Sequence, residues 1–132
     1  MKVLLDTDVC IAIINQDPRV RTHLERHRPS ALRMSVVTLG ELRFGAAKST
    51  QPRRVTTNLN LLMAKVGVVT YDEQAANRYG ELRALLERRG VPIGPLDTLI
   101  AAHALSQRWT LATHNTREFR RVPGLAVEDW LA

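Results

Sequence analysis

Cysteine is almost absent from this chain. The single one, Cys10, cannot close an internal disulfide, and inside the run Val9-Cys10-Ile11-Ala12-Ile13-Ile14 it reads as a small buried hydrophobe. That excludes a disulfide-stapled secreted scaffold and points to the cytoplasm. Aromatic residues are scarce at 5%, too few for extensive base or ring stacking to drive binding. No apolar run is long enough to cross a bilayer, so a membrane is not an expected partner. The N-terminal Met1-Lys2-Val3-Leu4-Leu5-Asp6 turns acidic too soon for a signal peptide and reads as a first core strand. A phosphate-cradling glycine loop is missing, which argues against ATP or GTP use, and so is a nucleophile-elbow sequence. There is no repeat, low-complexity segment or interdomain linker. The 132 residues therefore read as one domain, 1–132, and the 45% hydrophobic content is enough for one core.

Lysine is also rare. Only three of the 19 basic residues are lysine, and the rest are arginine. The net charge is +6. Its distribution matters more than its size. If Asp6, Asp8, Glu41, Asp97 and Glu118 gather in one cleft, the remaining surface carries eight acidic residues against 19 basic ones. A basic shell around an acidic hole suits a polyanion that is drawn in electrostatically and then met by a metal ion. A solvated arginine-rich surface would give the same net charge; the acidic hole favours nucleic acid.

Hydrophobic patterning alternates between strand-like and helix-like segments. Strands are expected over 2–6, 33–37, 66–71, 109–113 and 125–128. Helices are expected from Asp8 to Asn15 and over 18–28, 38–48, 52–64, 72–89 and 95–107, with a short one before the last strand. Pro18 and Pro52 sit where first helical turns tolerate proline, and Gly90 marks a helix stop. The first strand is apolar throughout, as a strand buried on both faces should be. Such alternation predicts an α/β fold with a central parallel sheet and helices on both faces.

In a parallel sheet every strand-to-helix turn lies on one edge, and ligands bind at that edge. Four acids occupy such turns. Asp6 closes Val3-Leu4-Leu5. Glu41 follows Val36-Val37. Asp97 comes after Gly94-Pro95-Leu96, and Glu118 after Thr110-Leu111-Ala112-Thr113. Taken singly, each has a capping explanation. Thr38-Leu39-Gly40-Glu41 fits a capping box. Asp8 reads as an N-cap, Asp97 falls in a first helical turn, and Asn115 reads as a cap with Glu118 three residues on. Asp6 resists that explanation, because it lies between an apolar strand and an apolar helix, where an unpaired charge costs several kcal/mol. Asp97 is similar, since Ile100, Ala101 and Ala104 turn its helical face inward. Neither has a basic neighbour in sequence, so a hard cation is the expected counter-charge. Mg²⁺, or Mn²⁺ in its place, prefers carboxylate oxygen and water. Asp6 and Asp97 are the expected metal ligands, and Asp6, Glu41, Asp97 and Glu118 the expected catalytic set.

The chemistry this implies is metal-assisted hydrolysis of a phosphodiester, in which metal-activated water makes a serine or cysteine nucleophile unnecessary. Asp8, Thr113 and Asn115 would support the cleft; the hydroxyls of Thr7, Thr98 and Thr113 flank it and would orient a water or a carboxylate, with Thr113, at a strand end, the best placed of the three. His114 reads as an incidental loop residue and His103 as structural. One basic cluster comprises Arg19, Arg21, Arg26 and Arg28 with His23 and His27. A second, Arg117, Arg120 and Arg121, lies nearer the cleft and is the better candidate for gripping a phosphate backbone.

Read together, these residues resemble the PIN-domain ribonucleases, and specifically the VapC-type toxins of bacterial toxin–antitoxin pairs. The resemblance runs nearly end to end. It rests on Leu4-Leu5-Asp6-Thr7-Asp8, on Ser35-Val36-Val37-Thr38-Leu39-Gly40-Glu41-Leu42 with Gly45 following, and on Gly94-Pro95-Leu96-Asp97-Thr98-Leu99-Ile100-Ala101-Ala102-His103-Ala104. It closes with Thr113-His114-Asn115-Thr116-Arg117-Glu118-Phe119, Pro123-Gly124-Leu125 and Glu128-Asp129-Trp130. The resemblance implies a five-stranded parallel sheet, Mg²⁺ or Mn²⁺, cleavage of RNA such as tRNA, a homodimer, and a heteromeric complex with a cognate VapB-type antitoxin that blocks the cleft. It matches Asp6, Glu41 and Asp97 to the family's acidic triad. Two positions depart from the pattern: Asp8 stands where asparagine is frequent, and Asn115 where the fourth acid is frequently aspartate. The fourth site therefore falls to Glu118 or Asn115.

Two alternatives differ in class. Asp6-Thr7-Asp8 is also similar to the first motif of haloacid-dehalogenase-like phosphatases, but these need a catalytic lysine and a later acidic pair, and Lys2, Lys48 and Lys65 are poorly placed. A catalytically weak nucleic-acid-binding PIN protein is the other. The neutral Asn115 favours it, and intact Asp6, Glu41 and Asp97 oppose it.

Overall fold

The computed structural model describes residues 2–132. Its first strand, β1 (Val3–Leu5), is fully buried and is followed at once by α1 (Thr7–Ile14) and α2 (Pro18–Glu25). Then come β2 (Leu32–Ser35), α3 (Val36–Lys48), α4 (Pro52–Lys65), β3 (Gly67–Val69), α5 (Glu73–Arg88) and α6 (Pro95–Gln107). The chain closes with β4 (Thr110–Thr113), the single turn α7 (Thr116–Phe119) and β5 (Val127–Asp129).

The five strands form one sheet in the order β3-β2-β1-β4-β5, every neighbouring pair parallel. This is the α/β architecture that the alternating pattern predicts. The first three strands are laid outward in one direction from β1. The chain then crosses back to add β4 and β5 on the other side. The reversal leaves a crevice at the carboxyl ends of β1 and β4, where an open α/β sheet binds ligands.

Strand side chains alternate between two cores. Val3, Leu5 and Met34 face a layer that includes Val9, Cys10, Leu59, Leu62 and Trp130. Leu4 and Leu111 face the other, built from Leu82, Leu86, Ile100, Ala101 and Phe119. Cys10 is buried, its thiol directed at the Leu5 carbonyl, as its apolar context predicts. Gly90 has φ +68° directly after α5, a left-handed turn that a residue without Cβ enters at little cost. Arg108 adopts the same conformation at the end of α6 (φ +59°), with no glycine to announce it.

Several expected boundaries move. Val36 and Val37 belong to α3 and not to a strand, because Ser35 caps the helix by accepting from the Val37 N–H at 3.1 Å. Thr38 is thus a buried first-turn residue, and the capping box expected at Thr38 and Glu41 does not form. Asp8 is not the cap of α1. Asp6 is, accepting from the Thr7 N–H at 2.8 Å. Trp109 precedes its strand, β5 starts at Val127 and not at Leu125, β3 is shorter than residues 66–71, and α2 ends at Glu25 before Arg28.

Candidate metal and phosphodiester site

Asp6 is the centre of the crevice and is only 6% exposed. Its N–H donates to the Ala112 carbonyl at 2.9 Å, so the residue is fixed by the sheet itself. One carboxylate oxygen caps α1; the other accepts from Thr113 Oγ1 at 2.8 Å, across 107 residues of sequence. The Thr113 hydroxyl also accepts from the Asn115 N–H at 3.0 Å. Thr113 is fully buried at the end of β4, so one hydroxyl ties both central strands to the site.

The other carboxylates are held by equally specific contacts. Glu41 on α3 accepts from Thr7 Oγ1 at 2.9 Å. Asp97 in the first turn of α6 and Glu118 on α7 both accept from the side-chain amide of Asn115, at 3.2 and 3.3 Å. Asp8 accepts from the His114 N–H at 3.0 Å, while the His114 ring pairs with Asp129 at 3.2 Å. The expected set of Asp6, Asp8, Glu41, Asp97, Glu118, Thr113 and Asn115 thus converges on one cleft. Asn115 caps α7 by position, yet its side chain makes no capping hydrogen bond and bridges two acids instead.

Thr7 orients a carboxylate, Glu41, as its place beside the cleft suggests. Two roles escaped the sequence: Asn115 bridges Asp97 and Glu118, and His114 is no incidental loop residue, since its backbone holds Asp8. Neither is announced locally, because Asp97 and Asp8 come from other elements. Thr98, by contrast, turns to the Gly94 carbonyl at 2.9 Å and serves its own helix. His103 is buried and structural as expected, its Nδ1 2.8 Å from Ser35 Oγ; burial pushes its pKa down.

The electrostatics show a cluster short of positive charge. Among the described residues no lysine or arginine forms an ion pair with any of these carboxylates. Burial pushes the Asp6 carboxyl up to about 7 and the charge of Asp8 adds to this, against hydrogen bonds from Thr113 and Thr7 that pull it down. Asp97 is pushed up to about 6, by burial first, then by the hydrogen bond and charge of Glu118, then by Glu41 and Asp8. Carboxylates that raise one another in this way are what a divalent cation relieves. The donor set, all carboxylate and amide oxygen with hydroxyls behind, fits a hard ion such as Mg²⁺. Among the described residues no three His, Cys, Asp or Glu groups stand close enough to share one ion. One or two carboxylates with water completing the shell is the mode Mg²⁺ favours.

The basic clusters separate. Arg19 is bound to Asp17 and to the Leu131 carbonyl, and His23 and His27 pack on the Trp130 ring, so these members of the first cluster serve the fold. Arg117 and Arg120 are exposed beside the cleft, and Arg121 is tethered to the Pro92 carbonyl at 3.1 Å.

Comparison with known proteins agrees with this geometry. The family model described as PIN domain matches residues 3–125. The chain is 40% identical over 130 residues to the tRNA(fMet)-specific endonuclease VapC of Salmonella typhimurium, covering 98% of each. It is 34% identical over 132 residues to Ribonuclease VapC2 of Rickettsia felis, again covering 98% of each. The crystal structure of DNA-bound VapBC from Salmonella typhimurium superposes with a TM-score of 0.93 at 40% identity, covering 98% of both chains. VapBC2 from Rickettsia felis, bound to a fragment of its promoter DNA, superposes with a TM-score of 0.90 at 32% identity, covering 97% of this chain and 98% of that one.

Proposed function

We propose a function whose premise is that this chain belongs to the PIN-domain family: it is a metal-dependent endoribonuclease, the toxin of a type II toxin–antitoxin pair. The observation that carries the reading is the convergence of Asp6, Glu41, Asp97 and Glu118 on the crevice between β1 and β4, with no protein cation to neutralise them.

Asp6, buried, and Asp97, half-buried, are the residues that would hold the ion, because their carboxyl groups are pushed up by burial and by neighbouring acids. Held there, Mg²⁺ or Mn²⁺ would supply positive charge for the scissile phosphate and would lower the pKa of a water. Thr113 fixes Asp6 in one orientation, and Asn115 fixes Asp97 against Glu118. Thr7 fixes Glu41 on the opposite wall, where it accepts a proton from the incoming water. Arg117 on α7 and Arg120 just after it are exposed and would supply affinity for a phosphate backbone without sequence preference. Since Salmonella typhimurium VapC is a tRNA(fMet)-specific endonuclease, tRNA is the substrate to test first. A cognate VapB-type antitoxin is the expected partner, as in the VapBC structures, and the toxin itself is expected to pair as a homodimer.

The test is incubation of purified bacterial tRNA with the chain, free of antitoxin, in Mg²⁺, in Mn²⁺ and in EDTA, beside Asp97→Asn. Discrete fragments that need metal and fall at least about 100-fold in Asp97→Asn are expected. Intact RNA under every metal, with the protein folded, would leave a nucleic-acid-binding protein as the better reading.

A further inference from the structure

Only part of the first basic cluster serves the fold. Arg19, His23 and His27 have partners, but among the described residues the guanidinium groups of Arg26 and Arg28 make no hydrogen bond and no ion pair. Both arginines line a cavity of about 510 Å³, together with Lys2 and His27. One acid, Glu128, shares the lining, and its carboxylate already accepts from the Trp130 indole N–H at 3.1 Å. Helix polarity accounts for Arg26, which ends α2, where the last carbonyl groups favour a cation. Arg28 lies beyond that helix and has no such partner. A dispersed arginine-rich surface does not require three cations from two segments of the chain to border one cavity. Like charges gathered in this way attract an anion.

The place of the cavity connects it with the cleft. Lys2 and Val3 open β1, Thr110 opens β4 and Ser30 precedes β2, so the cavity lies on the amino-terminal edge of the sheet, opposite the carboxylates. The two edges are close, because Lys2 and Asp6 flank the short strand β1, about 13 Å apart. Helix α2 runs between them. Its first turn is held at the chain end beyond β5, where Arg19 donates to the Leu131 carbonyl at 3.1 Å, and Arg26 at its other end reaches the cavity. RNA carries a phosphate at every nucleotide, so a folded RNA seated in the cleft has further phosphates to offer at this second edge.

We infer that the cavity is a second phosphate-binding site, which takes the backbone of the same RNA whose scissile bond lies in the cleft. The inference rests on the ribonuclease reading above and deepens it. Lys2, Arg26 and Arg28 would favour a folded RNA broad enough to reach both edges of the sheet over a short single strand. The contact is to phosphate and carries no base preference.

The experiment measures RNA binding by fluorescence anisotropy in EDTA, across a range of salt concentrations. The probes are whole tRNA and a short single-stranded RNA. The proteins are the wild type, Arg26→Ala/Arg28→Ala, Lys2→Gln and, as a control, Arg53→Ala/Arg78→Ala, which removes two exposed arginines from α4 and α5. Every substituted side chain is exposed, so thermal unfolding should show all four folded. On tRNA, Arg26→Ala/Arg28→Ala should lower the salt slope by about two ions and Lys2→Gln by about one. The affinity of the double variant should fall about tenfold near physiological salt. On the short strand both should match the wild type, and the control should keep the wild-type slope on both RNAs. Equal losses on the two RNAs, or a control that loses as much as Arg26→Ala/Arg28→Ala, would show a diffuse field and overturn the inference while leaving the ribonuclease intact. So would tRNA binding that the cavity variants leave untouched, including the case in which inorganic phosphate alone raises the wild-type Tm and not theirs, which would mark a site for the free ion. A wild type that neither binds nor cuts tRNA instead overturns the ribonuclease reading, and this site with it.

Discussion

Replacing Asp6 with asparagine should stabilise the metal-free protein at pH 8 while abolishing its activity. Burial and the Asp8 charge push the folded-state carboxyl from 3.8 up to about 7. Between those two values the folded chain holds one proton more than the unfolded chain. Stability of the metal-free wild type therefore falls as pH rises through this window and is flat above it. A shift of about three units corresponds to at most about 4 kcal/mol borne by ionised Asp6 at pH 8. Asparagine is neutral and nearly isosteric, and it caps helices as well as aspartate does, so the contact with the Thr7 N–H survives. The Thr113 hydroxyl loses an ionic acceptor, a cost of about 1 kcal/mol. The net gain is about 2–3 kcal/mol, or about 10 °C in Tm for a chain of this length. The assay is thermal unfolding in EDTA from pH 4 to pH 9. The two curves should coincide to within about 1 kcal/mol near pH 4, diverge steadily between pH 4 and pH 7, and run parallel above that. Adding Mg²⁺ should raise the wild-type Tm and leave Asp6→Asn unchanged, closing the gap. A variant less stable than the wild type at pH 8 in EDTA, or a difference that does not depend on pH, would refute the claim that Asp6 is a buried charge waiting for a cation.

Three further outcomes follow from the same contacts. Asn115→Asp replaces the amide bridging Asp97 and Glu118 with another negative charge; it should lower metal-free stability at pH 8 by about 1–2 kcal/mol and tighten Mg²⁺ binding, read by calorimetry and by Tm in EDTA. Because Asp6 and Asp97 ionise only as pH approaches about 7 and about 6, Mg²⁺ binding should release protons at pH 6 and weaken as pH falls further; titration in buffers of different ionisation enthalpy measures the release, and none at all would contradict the assigned ligands. Arg117→Ala and Arg120→Ala should each reduce the salt dependence of RNA binding by about one ion without moving the cut, and a change in cut site would show that these arginines read bases.

The sequence by itself determined the parallel sheet, the two-layered helical cover and the edge on which the acids meet. These are encoded in local periodicity: Val3, Leu4 and Leu5 are apolar in succession because both faces of β1 are buried, and Leu82 and Leu86 repeat at helical spacing. Asp6 and Asp97 were legible because a charge between apolar segments demands a partner. What only the tertiary structure decided is how each acid is held. Whether Glu41 closes a capping box or turns to Thr7 is a contest between a local and a distant hydrogen bond. The distant partner wins because helix starts on the same sheet edge lie within hydrogen-bonding reach. Asn115 is the clearest case. In sequence it is a missing carboxylate and a plausible cap. In the fold it is a neutral donor between two acids that repel each other, a role that exists only once α6 and α7 are brought side by side.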